Sequence, residues 1–182
     1  MPAPSDRIRA TPMTPDLKSL LSRRIHPDDS LPGEPAKEDP YREWGDLPFS
    51  VSVFDHWLSE EEYIAEPVVR HHDAVKKGLM AGYLEGERRF EAFYAELGRE
   101  GAYLEARWRQ GGRRFVPASS GLLKRIVRHS LREGRGMDLV FVAAPVRVIG
   151  CWNRTDLLLP ETAAIRNEVA AAAMRHGLHV LP

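Results

Sequence analysis

Hydrophobic and polar positions along the chain fall into runs with two different periods, and the changes from one to the other divide the sequence into strands and helices. Phe49-Ser-Val-Ser-Val-Phe alternates with period two, the pattern of a half-buried strand with Phe49, Val51 and Val53 on one face. Ser59 followed three residues later by Glu62 forms a capping box, because the hydroxyl and the carboxylate each satisfy an unpaired backbone N–H. A helix is expected to start there, until Pro67 interrupts or restarts it. From Val68 the apolar positions Val68, Val75, Leu79, Tyr83, Phe90, Phe93 and Leu97 follow a four-three spacing, with His72 and Gly86 completing the seam. That spacing predicts one long amphipathic helix.

Ala74, Gly78, Gly82 and Gly86 recur every four residues along this helix. Each glycine costs about 1 kcal/mol relative to alanine in a helix interior, so the stripe asks for a closely packed backbone. Either the protein's own sheet supplies it or a second copy does, in a homodimer through the Gly78, Gly82, Gly86 face. Arg70, Lys76, Lys77, Glu85, Glu87, Arg88 and Arg89 exclude a bilayer as the partner of this face.

Beyond Gly98, residues 100–110 read either as a helix with Tyr103, Leu104 and Trp108 on its apolar side or as part of a hairpin. Gly111-Gly112 marks a turn. Pro117-Ala-Ser-Ser-Gly leads into a helix with Leu122, Leu123, Ile126, Val127 and Leu131 as its buried stripe, Lys124, Arg125, Arg128 and Arg132 on the other face, and Gly134 and Gly136 at its end. Three β-rich runs follow, Met137 to Val142, Val146 to Trp152 and Thr155 to Leu159, separated by Ala-Ala-Pro and Asn153-Arg154. They read as an antiparallel meander. Pro160-Glu161 has the composition of a helix start. The alanine-rich helix runs to His176, Gly177 closes it, and Leu178 to Leu181 is the last strand. Strands meeting strands directly, with one long helix and two shorter ones, predict an α+β fold rather than a doubly wound sheet.

Residues 1–48 hold nine of the fourteen prolines. Proline fixes φ and removes a backbone donor, so this stretch reads as a largely irregular N-terminal arm ahead of a single α+β domain over 49–182. Leu17, Leu20, Leu21 and Ile25 form one short amphipathic turn able to dock, and Tyr41, Trp44 and Leu47 can pin the arm to the domain.

Composition adds limits to this picture. With 182 residues, 43% of them hydrophobic and 29% charged, the chain has the make-up of one globular domain with an appendage. No run approaches the roughly 20 apolar residues that cross a bilayer, and MPAPSDRIRATP has no apolar core for a signal peptide. A cytoplasmic protein is expected. The one cysteine, Cys151, supports neither an internal disulfide nor a zinc cluster. A formal net charge of zero hides an uneven distribution. From Asp28 to Glu66 acidic residues dominate, against only Lys37 and Arg42. From Arg107 to Arg135 nine basic residues face one acid, Glu133. Such polarity points to complementarity within the fold or with a partner.

Few residues form a recognisable catalytic constellation. His71-His72-Asp73 gathers titratable groups, but adjacent helical residues point about 100° apart, which places His72 in the seam and His71 at the surface and leaves no shared metal ion. Cys151 in a strand reads as a small buried hydrophobe, although alternation puts it on the face of Arg147. Trp152-Asn-Arg-Thr-Asp156 is a dense polar turn, in which Arg154 and Asp156 either pair with each other or contact a ligand. The basic stretch carries the strongest signal: Arg113, Arg114, Lys124, Arg125, Arg128 and Arg132, with Arg107, Arg109 and Arg135 nearby and Trp108 and Phe115 interleaved. Arginine forks bind phosphate and aromatics stack on bases, and the Ser119-Ser120-Gly121 helix start offers free N–H groups to an anion. A solvated basic face, offset by the acidic segment, is the plainer reading. The expectation is therefore a non-enzymatic macromolecule-binding protein of the partner-neutralising or scaffolding type, with a probable protein partner and a surface built from Arg113, Arg114, Arg125, Arg128, Arg132, Trp152, Arg154 and Asp156. A nucleic-acid-binding module and a small enzyme using His71, Cys151 or Asp156 are the alternatives. No cofactor or metal is assigned.

Overall fold

The computed structural model describes residues 15–22, 44–105, 113–134, 136–150 and 153–182. Within them lie six α-helices and seven strands. The strands are β1 (Phe49–Ser52), β2 (Ala102–Glu105), β3 (Arg113–Val116), β4 (Asp138–Phe141), β5 (Val146–Gly150), β6 (Thr155–Pro160) and β7 (His179–Leu181). The helices are α1 (Pro15–Ser22), α2 (Glu60–Ala65), α3 (His71–Lys77), α4 (Met80–Leu97), α5 (Leu122–Leu131) and α6 (Ala163–Arg175). All seven strands join one antiparallel sheet in the order β3-β2-β4-β5-β6-β1-β7. The expected α+β fold, meander and outer strands are all present.

Register shows why the sheet has two apolar faces. Phe49 and Val51 stand opposite Leu158 and Asp156, Val148 opposite Leu139, and Ala102 opposite Phe141, so one face runs unbroken across six strands. Phe90, Phe93, Tyr94 and Leu97 of α4, Leu123, Val127 and Leu131 of α5, and Val169, Ala172 and Ala173 of α6 cover it. The opposite face carries Tyr103, Phe115, Val140 and Val142, packed against Leu17, Leu20 and Leu21 of α1, and beside them Ile149, Leu157 and Leu159 packed against Trp44. Leucines and a tryptophan from the first 48 residues thus contribute to the core. Most of that proline-rich stretch, Ile25 and Tyr41 included, lies outside the described residues. Double coverage also changes the reading of β1 from half-buried to fully buried: Ser50 and Ser52 are enclosed with its phenylalanine and valine. Ser52 Oγ meets Thr155 Oγ1 at 2.8 Å, which satisfies both hydroxyls inside.

Four local expectations change. The single long helix is two, because Gly78 takes φ +70° as the cap of α3 and its N–H bonds back to Ala74 and Val75; a left-handed cap ends a helix, and glycine adopts it without strain. The undecided 100–110 stretch contributes β2 to a hairpin with β3, its register pairing Ala102 with Val116. Pro160 ends β6, and the last helix starts two residues later with Thr162 as its cap, the hydroxyl accepting from the Ile165 N–H. At the end of α5 it is Glu133, not a glycine, that takes the left-handed position at φ +59°. Bonds from Glu133 N to Ser130 O and from Gly134 N to His129 O, both 2.9 Å, close the helix there. The Ser59 and Glu62 capping box forms as read from the sequence.

Candidate functional site

Helices α4 and α5 run antiparallel over the sheet, and their facing sides carry opposite charges at matching intervals. Glu87 and Glu91 on α4 are four residues apart, as are Lys124, Arg128 and Arg132 on α5, so each set lines one helix face. Arg132 grips Glu87 with a two-pronged fork, Nε to Oε2 at 2.6 Å and Nη2 to Oε1 at 2.7 Å. Arg128 Nε donates to Glu91 Oε1 at 2.6 Å, and Lys124 Nζ lies 3.3 Å from Glu91 Oε2. Glu87 is only 5% exposed, which marks its fork as the strongest bond of the ladder. Burial alone would raise the Glu91 carboxyl, but hydrogen bonds from Arg128 and Lys124 outweigh it and hold the group below its usual range. The hydrogen bond to Glu87 raises Arg132 above the ordinary arginine value. Much of the basic helix is therefore neutralised by α4; residues 28–43 of the acidic segment lie outside the described residues.

Beside this ladder a groove of about 550 Å³ opens between α4 and the start of α5. Ala92, Ala95, Gly98, Leu123 and Val127 supply its apolar floor, and Arg88, Arg99 and Lys124 stand on its rim. Ala92 and Ala95 are exposed to solvent. Gly98 lets the two helices close at one end, since a Cβ there would overlap Leu123.

The remaining predicted residues lie elsewhere. Arg113 and Arg114 sit on the edge strand β3, whose alternation sends them to opposite faces; Arg113 Nε donates to Glu105 Oε2 at 2.5 Å, and Arg114 is exposed. Arg125 is exposed on α5. Cys151, Trp152, Arg107, Trp108, Arg109 and Arg135 lie outside the described residues. Asp156 is 2% exposed on β6 and accepts a 2.5 Å hydrogen bond from Tyr94 Oη, so it faces the core rather than a partner.

Arg154 also turns inward. With Asn153 it adopts a left-handed backbone, φ +68° and +60°, and its guanidinium crosses to the α3 and α4 region. Nη1 donates to Val68 O at 2.9 Å and Nη2 to Tyr83 O at 3.5 Å, while the group lies 5.1 Å from the centre of the Tyr83 ring. A Cβ at position 86 would overlap this guanidinium. Gly86 thus makes room for Arg154, and Gly78 ends a helix, so two of the three glycines assigned to a homodimer face have uses inside the protomer. Burial pushes Arg154 below the usual arginine value. It also pushes Tyr83 up to about 12, and the Tyr83 hydroxyl donates to Leu131 O.

The histidine pair is placed the other way round from expectation. His71 is half-buried with its ring edge-on to Tyr83 at 5.2 Å, whereas His72 is exposed. The helix begins at His71, so the seam that predicted the reverse was phased on a helix that does not continue. Arg70 Nε donates to Asp73 at 2.8 Å and holds that carboxyl below its usual range. Among the described residues, no three His, Cys, Asp or Glu side chains converge to hold a metal ion, and no helix is long and apolar enough to cross a membrane.

No family model, no curated protein and no solved structure matches this chain. The signal for the α4–α5 ladder was in the sequence, in two four-residue spacings of opposite charge. The groove and the Arg154 tether depend on which segments meet, and no local pattern carries that.

Proposed function

We propose that this is a non-enzymatic protein-binding protein, of the partner-neutralising or scaffolding type, that takes an acidic segment of a protein partner on its α4–α5 face. The observation that supports this reading is the groove itself: an apolar floor under a rim of Arg88, Arg99 and Lys124. Apolar floors supply affinity, and a few placed charges supply orientation. Glu91 is the acid among the lining residues, and its charge is already shared between Arg128 and Lys124, so the rim keeps a positive balance. Arg125, exposed next to Lys124, extends that balance along α5. Arg154 and Asp156 leave the binding surface, because both have partners inside.

The test is affinity capture on the full chain with and without nuclease, repeated with Arg88→Glu plus Lys124→Glu. A protein retained in both conditions by the parent chain and lost from the double variant is the expected result. Retention that disappears on nuclease treatment would replace this reading with a nucleic-acid interface, whose affinity falls steeply with salt through counterion release.

A further inference from the structure

We infer that the occupant of the α4–α5 groove is an amphipathic helix with acidic residues at both ends of its apolar stripe. The inference rests on the binding role proposed above and adds the partner's shape. Arg88, Ala92 and Ala95 of α4 and Arg99 of the 3-10 turn that continues it (Gly98–Glu100) are all exposed, and their spacing is four, three and four residues. That is the repeat by which one helix presents a continuous contact face to another. This face of α4 is the one that the sheet and α5 leave uncovered, since Tyr83, Phe90, Phe93, Tyr94 and Leu97 point into the core. Small residues at its centre let an incoming backbone approach closely, and cations at its ends await opposite charges.

Length separates a helix from other occupants. At about 1.5 Å per residue to the end of α4 and about 2.0 Å through the 3-10 turn, the two arginines lie roughly 17 Å apart, three turns along one side. A single carboxylate or phosphate group does not span that distance. An extended strand of the same reach sends alternate side chains away from the groove. A helix matches it turn for turn, with acids at i and i+11 and apolar residues at i+4 and i+7, the helix-in-groove mode of recognition. Lys124, on the opposite wall, already lies 3.3 Å from Glu91 Oε2, so the two arginines carry the charge complementarity. The present partners of the rim arginines are exposed neighbours at long range, Arg88 to Glu85 at 3.6 Å and Arg99 to Glu100 at 4.0 Å. Such pairs contribute little, so an incoming carboxylate displaces them at small cost.

The experiment pans a display library of peptides about 18 residues, or five turns, long against the full chain, with counter-selection on Ala95→Trp. Position 95 is exposed, so the indole fills the groove without entering the core, and circular dichroism confirms the fold. Enriched peptides should carry acids eleven apart around an apolar pair. Their affinity, read by fluorescence anisotropy, should fall at least tenfold, about 1.4 kcal/mol, for Ala95→Trp and for Arg88→Glu plus Arg99→Glu. Absence of enrichment, enrichment without the spacing, or equal binding to both variants would overturn the helix assignment. Should a captured protein still depend on Arg88 and Lys124 in that event, the binding role stands and only the partner's shape is lost; failure of both removes both.

Discussion

Arg132 and Arg154 each make two hydrogen bonds across the fold, Arg132 both to α4 and Arg154 one to α4 and one to the segment before α3, and the acceptors differ. Arg132 closes on the Glu87 carboxylate, and Arg154 on the carbonyls of Val68 and Tyr83. Charge meets charge in the first case, which raises the arginine above its usual value. In the second, a cation enters a region of neutral dipoles and aromatic faces, and burial lowers it. The α5 arginine joins two finished helices, whereas Arg154 fixes where the segment before α3 and the first turn of α4 sit on the β5–β6 turn. Tyr63 Oη, donating to Asn153 Oδ1 at 3.1 Å, brings α2 to the same turn. A run of basic residues thus says less about role than the acceptor each residue finds.

The sharpest way to break this comparison is at Arg154. Arg154→Ala leaves two carbonyls without their donor and opens space beside Tyr83, and is expected to lower unfolding free energy by about 3 kcal/mol in urea titrations. Gly86→Ala should act mainly through the same group, because its Cβ displaces the guanidinium: about 2 kcal/mol in the parent chain, and clearly less once Arg154 is gone, when only the 2.9 Å approach to Val53 Cγ1 is left to relieve. Equal costs in both backgrounds would mean that Gly86 is needed for something other than Arg154.

Glu87→Gln comes next, at about 1–2 kcal/mol, because it reduces a charge-assisted fork to a neutral contact. Glu87 is enclosed, so the loss should change little between low and high salt; a strong salt dependence would show that the fork behaves as a surface pair.

The smallest effect is a gain. Glu133→Gly removes a side chain from a left-handed position and should stabilise by about 0.5–1 kcal/mol. Burial also raises the Glu133 carboxyl above its ordinary value of 4.5. The carboxyl is protonated in both folded and unfolded states at low pH, and its ionised form is disfavoured in the fold at higher pH. The gain should therefore grow as pH rises through and above 4.5, and a gain that shrinks over that range would contradict the assigned cause.

Much of the sheet was legible because its punctuation is local. Ala-Ala-Pro and Asn153-Arg154 separate three β-rich runs, and the strands β4, β5 and β6 appear between them. Gly78 shows the limit of that approach: as a member of the small-residue stripe it fits one long helix, and as a left-handed cap it splits it, with the same residue at the same spacing. The histidines were misphased for that reason alone. At the candidate site, the charges of α5 are visible in the sequence, but no local pattern joins them to α4, although Glu87 and Glu91 repeat with the same interval. Arg154 had no legible destination, since Gly86, Val68 and Tyr83 are distant in sequence and only the folded sheet brings them near.

The sheet order sets a schedule for the molecule's synthesis. β1 lies between β6 and β7, so its flanks are filled by residues 155–160 on one side and 179–181 on the other. A ribosome delivers β1 long before either neighbour. Phe49 and Val51 therefore wait until residues 155–160 and 179–181 emerge before the strands that enclose them are present. Pairings this far apart in sequence also slow folding, because a long loop must close before any contact rewards it. The nascent chain stays exposed to aggregation at β1, and residues 179–181 are among those that end that exposure.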